Sequence, residues 1–235
     1  MEIDAYLIFK MAGLAVFILA GSFFAFKKGF NLTKSLIITA CAASLGFIVS
    51  RFWFIIQHAF GSDPYSPANF AEAWDDAGSV LYGWIIGGSI AIILLTKAYK
   101  MPTIKFFDHI FPWVLMGQIL NRLGCFAGEC CWGKPSNVFW AVYNHYERAR
   151  LHPVQLYEVG WDFLLLLLLW LQRNKQEGRV SFLYIIGYPL GRFFLEFFRG
   201  DNQPAVLGLT VPQIASVIII ICVIISMSKR LTQKA

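Results

Sequence analysis

Long runs without charged residues constrain this chain more than any other feature of its sequence. Stretches of about 18 or more predominantly apolar residues are longer than ordinary core helices and match the hydrocarbon thickness of a bilayer. The chain is 57% hydrophobic and only 14% charged, whereas a soluble domain carries about 25% charged residues. The sequence therefore predicts an all-α integral membrane protein and excludes a soluble domain.

We predict about seven transmembrane helices in a single domain that covers residues 1–235. Their ranges are 5–26, 35–58, 79–97, 106–124, 153–172, 180–198 and 205–228. Pro112 and Gly117 are expected to interrupt the fourth span, and such interruptions survive at membrane depth only where the backbone lines a cavity or is buried in protein. The first span follows Glu2 and Asp4 rather than basic residues, so we do not expect a cleaved signal peptide.

The distribution of basic residues predicts the orientation, because short cytoplasmic loops carry an excess of lysine and arginine. Alternate loops hold 12 of the 20 basic residues: Lys27, Lys28, Lys34, Lys97, Lys100, Lys105, Arg173, Lys175, Arg179, Lys229, Arg230 and Lys234. We therefore expect the N-terminus outside the cytoplasm and the C-terminus inside. The net charge of +6 follows from this bias and requires no nucleic-acid partner.

Four arginines fall within or at the outer ends of the predicted spans: Arg51, Arg122, Arg192 and Arg199. An intramembrane arginine costs about 2.5–3.5 kcal/mol even on insertion scales, so each must be paired or face a polar cavity. Salt bridges between helices would satisfy any single one. The planar guanidinium fork also grips phosphate, and the whole set indicates an anionic lipid headgroup at the outer leaflet. Glu196 lies one helical turn from both Arg192 and Arg199, which allows two guanidiniums to share its carboxylate.

Two further segments of the sequence are rich in polar residues. The first, from Leu151 to Glu158, begins a helix at Pro153 and is interpreted either as a polar helix entry or as one wall of a headgroup site. The second, from Arg122 to Pro135, contains three cysteines in a C-x4-C-C pattern. This pattern lacks the second paired half of a structural zinc site, so we predict no metal and no cofactor. If a disulfide forms there, Cys125 to Cys130 is the more plausible pairing.

The segment from Asp75 to Gly88 leads into the third predicted span. Gly83 and Gly87 form a small-xxx-small pattern, which typically allows two helices to pack closely. Tyr82 precedes them near the outer interface, where a tyrosine serves either in the aromatic belt or as a hydrogen-bond donor to a headgroup.

Four segments together resemble the bacterial phosphatidylglycerol–prolipoprotein diacylglyceryl transferase family. They are Asp75 to Gly88, Arg122 to Pro135, the His-Pro-x-Gln-Leu-Tyr-Glu string from His152 to Glu158, and the segment Gly187 to Arg199 with its Arg-x-x-x-Glu-Phe-Phe-Arg string. The resemblance implies an enzyme that moves the diacylglyceryl group of phosphatidylglycerol to the lipobox cysteine thiol of a prolipoprotein and releases glycerol-1-phosphate. It also implies a bacterial inner-membrane location, with the active site facing the outer leaflet.

That reaction needs a group that favours the acceptor thiolate and cations that stabilise the departing phosphate. By the resemblance, Arg122 and Arg192 bind phosphate, while Glu129 and Glu196 orient these arginines. The expected catalytic residues are Arg122, Arg192, Tyr82 and Glu129. The expected substrate-binding residues are Arg51, His152, Gln155, Tyr157, Glu158, Tyr188, Glu196, Arg199 and Cys125.

Two positions depart from the family pattern, because Tyr82 stands where well-known members place a histidine and Cys125 where they place an asparagine. A tyrosine, with an ordinary pKa near 10, is a poor base at neutral pH but can donate a hydrogen bond to a phosphate oxygen. Two alternatives stay open. One is a paralogue with the same lipid pocket and another acceptor or headgroup, and the other is a non-catalytic lipid-binding or transport protein.

Overall fold

The computed structural model describes residues 5–59, 81–201 and 204–232, and this part of the chain is mostly helical. The helices are α1 (Ala5–Ala15), α2 (Gly21–Lys27), α3 (Leu32–Ala59), α4 (Leu81–Ala98), α5 (Thr103–Ala127), α6 (Val154–Gln172), α7 (Arg179–Leu195) and α8 (Val211–Thr232). A π-helical turn, Val16–Ala20, joins α1 to α2, and a 3-10 turn, Glu196–Phe198, extends α7.

Several of these helices are suited to a membrane. Within the described residues, the segments long and apolar enough to cross a bilayer are Ala5–Lys27, Leu32–Ile56, Thr103–Ala127, Val154–Gln172 and Arg179–Phe198. Two further apolar helices, Tyr82–Ala98 and Val211–Ile225, are shorter. The prediction of a helical fold with several candidate spans is thus confirmed.

Two short hairpins make the fold less purely helical than predicted. Strand β1 (Val142–Asn144) pairs antiparallel with β2 (Ala149–Leu151), and β3 (Pro204–Val206) pairs with β4 (Leu209–Thr210). Backbone polar groups outside helices need other partners, and the hairpins supply them in the segments after α5 and after α7. These non-helical segments carry several of the predicted site residues.

The expectation that the fourth span is interrupted is wrong. Helix α5 runs without a break from Thr103 to Ala127 and contains both Pro112 and Gly117. A proline inside a helix removes one backbone hydrogen bond and crowds the carbonyl four residues before it, yet the helix continues through Pro112. A Cβ on Gly117 would lie 3.1 Å from the carbonyl oxygen of Gly13 in α1, so this glycine permits two helices to approach closely.

The chain divides into two compact units, of which one covers Ile18–Phe106. In this unit α3 packs against α4. A Cβ on Gly87 would lie 2.6 Å from the Leu45 carbonyl oxygen, and a Cβ on Gly83 would lie 2.7 Å from the Ser50 nitrogen. Both helices therefore approach at distances that only glycine allows, which confirms the packing predicted for Gly83 and Gly87.

The other unit comprises Met1–Phe17 and Phe107–Ala235, and Asp108 joins two of its helices. Its carboxylate accepts hydrogen bonds from the Gly178 N–H at 2.6 Å, the Ser181 N–H at 2.8 Å and the Ser181 hydroxyl at 2.6 Å. The N–H groups in the first turn of a helix have no partner within it. Asp108, on α5, therefore caps the start of α7 from outside that helix.

We predict that Asp108→Ala destabilises the protein by about 1–3 kcal/mol, because it leaves buried N–H groups without an acceptor. Thermal unfolding of the purified protein in detergent measures the effect. Glu177→Ala is the matched control, since Glu177 is an exposed acid just before α7. Equal stability of the two variants would contradict the capping role.

Candidate active site

The centre of the site is one buried carboxylate that contacts three arginines. Glu158, on α6, accepts hydrogen bonds from Arg192 Nη1 at 2.5 Å and from Arg199 Nη1 at 3.0 Å, both on Oε1. Its Oε2 forms an ion pair with Nε of Arg122. Glu158 is 6% exposed, so each of these charges is largely removed from water. A buried charge of this kind is stable only when it is paired and hydrogen-bonded.

A second carboxylate orients two of the same arginines. Glu196 Oε2 lies 2.9 Å from Arg192 Nη2 and 3.9 Å from Arg199 Nε. Its other oxygen accepts a hydrogen bond from the Thr210 hydroxyl at 2.9 Å. The structure therefore pairs Glu196 with both arginines, as their spacing along the helix predicted. Thr210, at the end of β4, is a support that no sequence pattern indicated.

Arg199 has a further partner, Asp201, that no sequence pattern indicated. Its Nε donates to Asp201 Oδ1 at 2.8 Å, and its Nη2 contacts Asp201 Oδ2. A carboxylate two residues beyond an arginine at a helix end is weak evidence in a sequence for an ion pair between the two. With Asp201 included, the three arginines form ion pairs with three carboxylates.

Arg122 differs from the other two arginines in how it uses its donors. It pairs with Glu158 through Nε. Among the described residues, its terminal nitrogen Nη1 contacts Cys125 Sγ at 4.0 Å. Its side chain is 14% exposed, compared with 6% for Arg199. Terminal guanidinium nitrogens can bind a phosphate bidentately. Arg122 is thus the arginine best placed to bind an anionic ligand.

The polar segment at the start of α6 forms a packed cluster. The hydroxyl of Tyr157 lies 3.0 Å from His152 Nδ1 and accepts a hydrogen bond from Trp140 Nε1 at 2.6 Å. The rings of His152 and Tyr157 also contact Phe198, with centroids 5.4 and 5.9 Å away. The His152–Glu158 segment therefore presents aromatic and hydrogen-bonding groups next to the residue that binds the arginines.

Gln155 connects this segment to the three-cysteine cluster, which we define as Cys125, Cys130 and Cys131. Its Nε2 donates to the Cys130 carbonyl at 2.6 Å. The three thiols are free, so the structure contains no Cys125–Cys130 disulfide. The pKa of the Cys131 thiol is lowered because the Cys125 and Cys130 thiols hydrogen-bond to it, with smaller effects from nearby arginines.

Glu129 does not orient an arginine in the structure, which differs from the role expected for it. Its carboxylate accepts a hydrogen bond from the His145 backbone N–H at 3.2 Å and lies 2.9 Å from His145 Nδ1. These two contacts, the side-chain one first, hold the pKa of Glu129 below its ordinary value. The reason is the β1–β2 hairpin, which places His145 beside the turn that contains Glu129.

The remaining predicted residues lie in two places. Tyr188 is buried on α7, one turn before Arg192, and its ring stacks on Tyr184 with centroids 5.9 Å apart. Arg51 and Tyr82 belong to the unit Ile18–Phe106, where they are 5% and 8% exposed. The guanidinium of Arg51 lies 5.7 Å from the Phe54 ring. The segment Asp75 to Val80 lies outside the described residues.

Comparison with known proteins finds one family model and several similar relatives. The family model described as prolipoprotein diacylglyceryl transferase matches residues 1–228. A phosphatidylglycerol–prolipoprotein diacylglyceryl transferase of Clostridium tetani is 39% identical over 151 residues, which is 61% of this chain and 61% of that relative. Relatives described in the same way from Clostridium perfringens and Finegoldia magna are 34% and 32% identical over 83% of this chain, covering 78% and 79% of their own lengths.

We predict that Glu158→Ala destabilises the protein by about 3–5 kcal/mol, because it leaves buried guanidiniums without their shared partner. Glu158→Gln should cost less, since an amide oxygen can still accept hydrogen bonds. Unfolding in detergent measures both variants against Glu147→Gln, a change at an exposed glutamate. A Glu158→Ala variant as stable as this control would contradict the central role of the carboxylate.

Proposed function

The chain belongs to the prolipoprotein diacylglyceryl transferase family, and from this premise we propose that it transfers the diacylglyceryl group of phosphatidylglycerol to the lipobox cysteine thiol of a prolipoprotein. The family match agrees with the resemblance carried by the motifs. The observation that supports the reaction for this chain is the gathering of Arg122, Arg192 and Arg199 around one buried glutamate.

The chemistry is a displacement at carbon. The acceptor thiolate forms a C–S bond to the phosphate-bearing carbon of the diacylated glycerol, and the bond from that carbon to the phosphate oxygen breaks. The electron pair stays on the phosphate oxygen, so glycerol-1-phosphate leaves with additional negative charge. Preorganised cations aimed at developing charge are the largest single contribution to many such reactions, and a fixed arginine cluster supplies them.

Each predicted residue has a place in this proposal. Arg122 and Arg192 bind the phosphate of the lipid, and Arg199 supports them. Glu158 and Glu196 hold the guanidiniums in position rather than react. The wall of the headgroup site comprises His152, Gln155, Tyr157 and Tyr188, with Cys125 at its edge. Arg51 and Glu129 are proposed to contribute to substrate binding or catalysis on the strength of the family pattern alone. Tyr82 is proposed to donate a hydrogen bond to a phosphate oxygen, in place of the histidine of well-known members.

The candidate spans and the family indicate a multi-pass membrane protein. We further propose that residues 1–235 act as one transferase domain with seven spans, an external N-terminus and a cytoplasmic C-terminus. The basic residues in alternate loops support this orientation. In a bacterial inner membrane it would place the arginine cluster toward the outer leaflet, where a secreted prolipoprotein presents its lipobox cysteine.

Intact mass spectrometry tests the function directly. Purified protein is incubated with phosphatidylglycerol and a peptide that contains a lipobox cysteine, and the same peptide with serine in place of that cysteine is the control. The proposal requires a mass gain of one diacylglyceryl group on the cysteine peptide alone. No gain, with lipid still bound to the protein, would contradict it and favour a paralogue with another acceptor.

We predict that Arg192→Ala abolishes transfer while the protein still folds and inserts. The variant lacks the guanidinium that Glu158 and Glu196 hold in position to bind the phosphate. Arg192→Lys should recover little activity, since an ammonium cannot reproduce the planar fork that contacts Glu158 and Glu196 together. The control is Arg173→Ala, which removes an exposed arginine beyond α6. Turnover of Arg192→Ala equal to that of the control would eliminate the arginine mechanism.

A further inference from the structure

The proposed displacement uses none of the sulfur atoms of the three-cysteine cluster, because the attacking thiol belongs to the prolipoprotein. The three Sγ atoms of the cluster nevertheless all lie within 4.8 Å of one another. We propose that Cys125, Cys130 and Cys131 form a binding site for one thiophilic d10 cation such as Zn²⁺, with three sulfur ligands and a fourth position open. The proposal concerns metal binding and does not depend on the transfer reaction.

The sulfur positions need little change to bind such an ion. Zinc–sulfur bonds of about 2.3 Å in a tetrahedral arrangement place ligating sulfurs about 3.8 Å apart. Sulfurs that already lie within 4.8 Å must therefore approach one another by about 1 Å at most. The expectation of no metal was based on the absence of a second cysteine pair, but a site with three protein ligands and an open position requires no such pair.

The backbone around the cluster is held in an uncommon conformation that returns the chain to the end of α5. Glu129 and Cys131 have φ angles of +49° and +61°, a region that residues other than glycine rarely adopt. The Cys130 N–H donates to the Cys125 carbonyl at 3.0 Å, and Gln155 holds the Cys130 carbonyl. The turn is therefore fixed by contacts on both sides, which prepares its sulfurs for a shared ligand.

The charge of the surroundings suits a metal–thiolate complex. When three thiols release their protons and bind a divalent cation, the complex carries one net negative charge. Arg122 Nη1 lies 4.0 Å from Cys125 Sγ and can offset that charge. Cys125 is only 3% exposed, so the ion would be bound where water competes weakly for it.

Metal binding to the full-length protein in detergent, kept reduced with a phosphine, tests the proposal. Protein equilibrated with Zn²⁺ and freed of excess ion should retain one equivalent by elemental analysis. A titration with Cd²⁺ should produce the ultraviolet charge-transfer absorption of cadmium–thiolate bonds and saturate at one ion per chain. Failure to retain Zn²⁺, or a Cd²⁺ titration without that absorption, would overturn the proposal without bearing on transfer.

Serine variants locate the site. Cys125→Ser, Cys130→Ser and Cys131→Ser should each weaken metal binding by more than about 10-fold. That threshold is the loss expected when a residue that only supports a metal ligand is changed, so the loss of a ligand itself should exceed it. Cys222→Ser, at an exposed cysteine of α8, should bind as the unmodified chain does. If Cys222→Ser loses the metal and the cluster variants keep it, the site lies elsewhere and the proposal fails. Unfolding curves verify that every variant compared is folded.

Discussion

The structure of the unit that contains the site depends on one interaction, the pairing of Glu158 with three arginines. The carboxylate lies on α6, and its partners come from α5, from α7 and from the end of the 3-10 turn that follows α7. Charges in a low-dielectric interior are stable only with close partners, so the three segments must meet at this point. The same constraint fixes the positions of the guanidiniums, which we propose bind the phosphate.

The non-helical segments of this unit are organised around that pairing. Thr210, at the end of the β3–β4 hairpin, holds Glu196, and Asp201 holds Arg199. After α5, the cysteine turn is attached to α6 through Gln155. Arg122 keeps terminal donors that neither Glu158 nor Glu196 occupies. A fixed group of arginines with spare donors can bind an anionic headgroup without reorganising.

The sequence predicted the features that depend on local spacing. The fifth span, predicted at 153–172, is the helix Val154–Gln172, and the contacts of Glu196 follow from positions one turn apart. The sequence did not predict that Glu158 joins three arginines, because Arg192 and Arg199 lie 34 and 41 residues from it and only tertiary packing brings them together. Glu129 was misinterpreted for the same reason, since a hairpin brings His145 to it. Pro112 was misinterpreted because α5 stays continuous through it.

The most direct test of phosphate binding by the arginine cluster is the binding of glycerol-1-phosphate to the purified protein, measured by calorimetry in detergent for the unmodified chain and for Arg122→Gln. The substitution leaves Glu158 paired with Arg192 and Arg199 but removes the spare donors. Since one charge-assisted hydrogen bond contributes about 1.5–3 kcal/mol, we expect an affinity at least about tenfold lower for the variant. Equal affinities would show that the arginine cluster is structural and that the phosphate binds elsewhere.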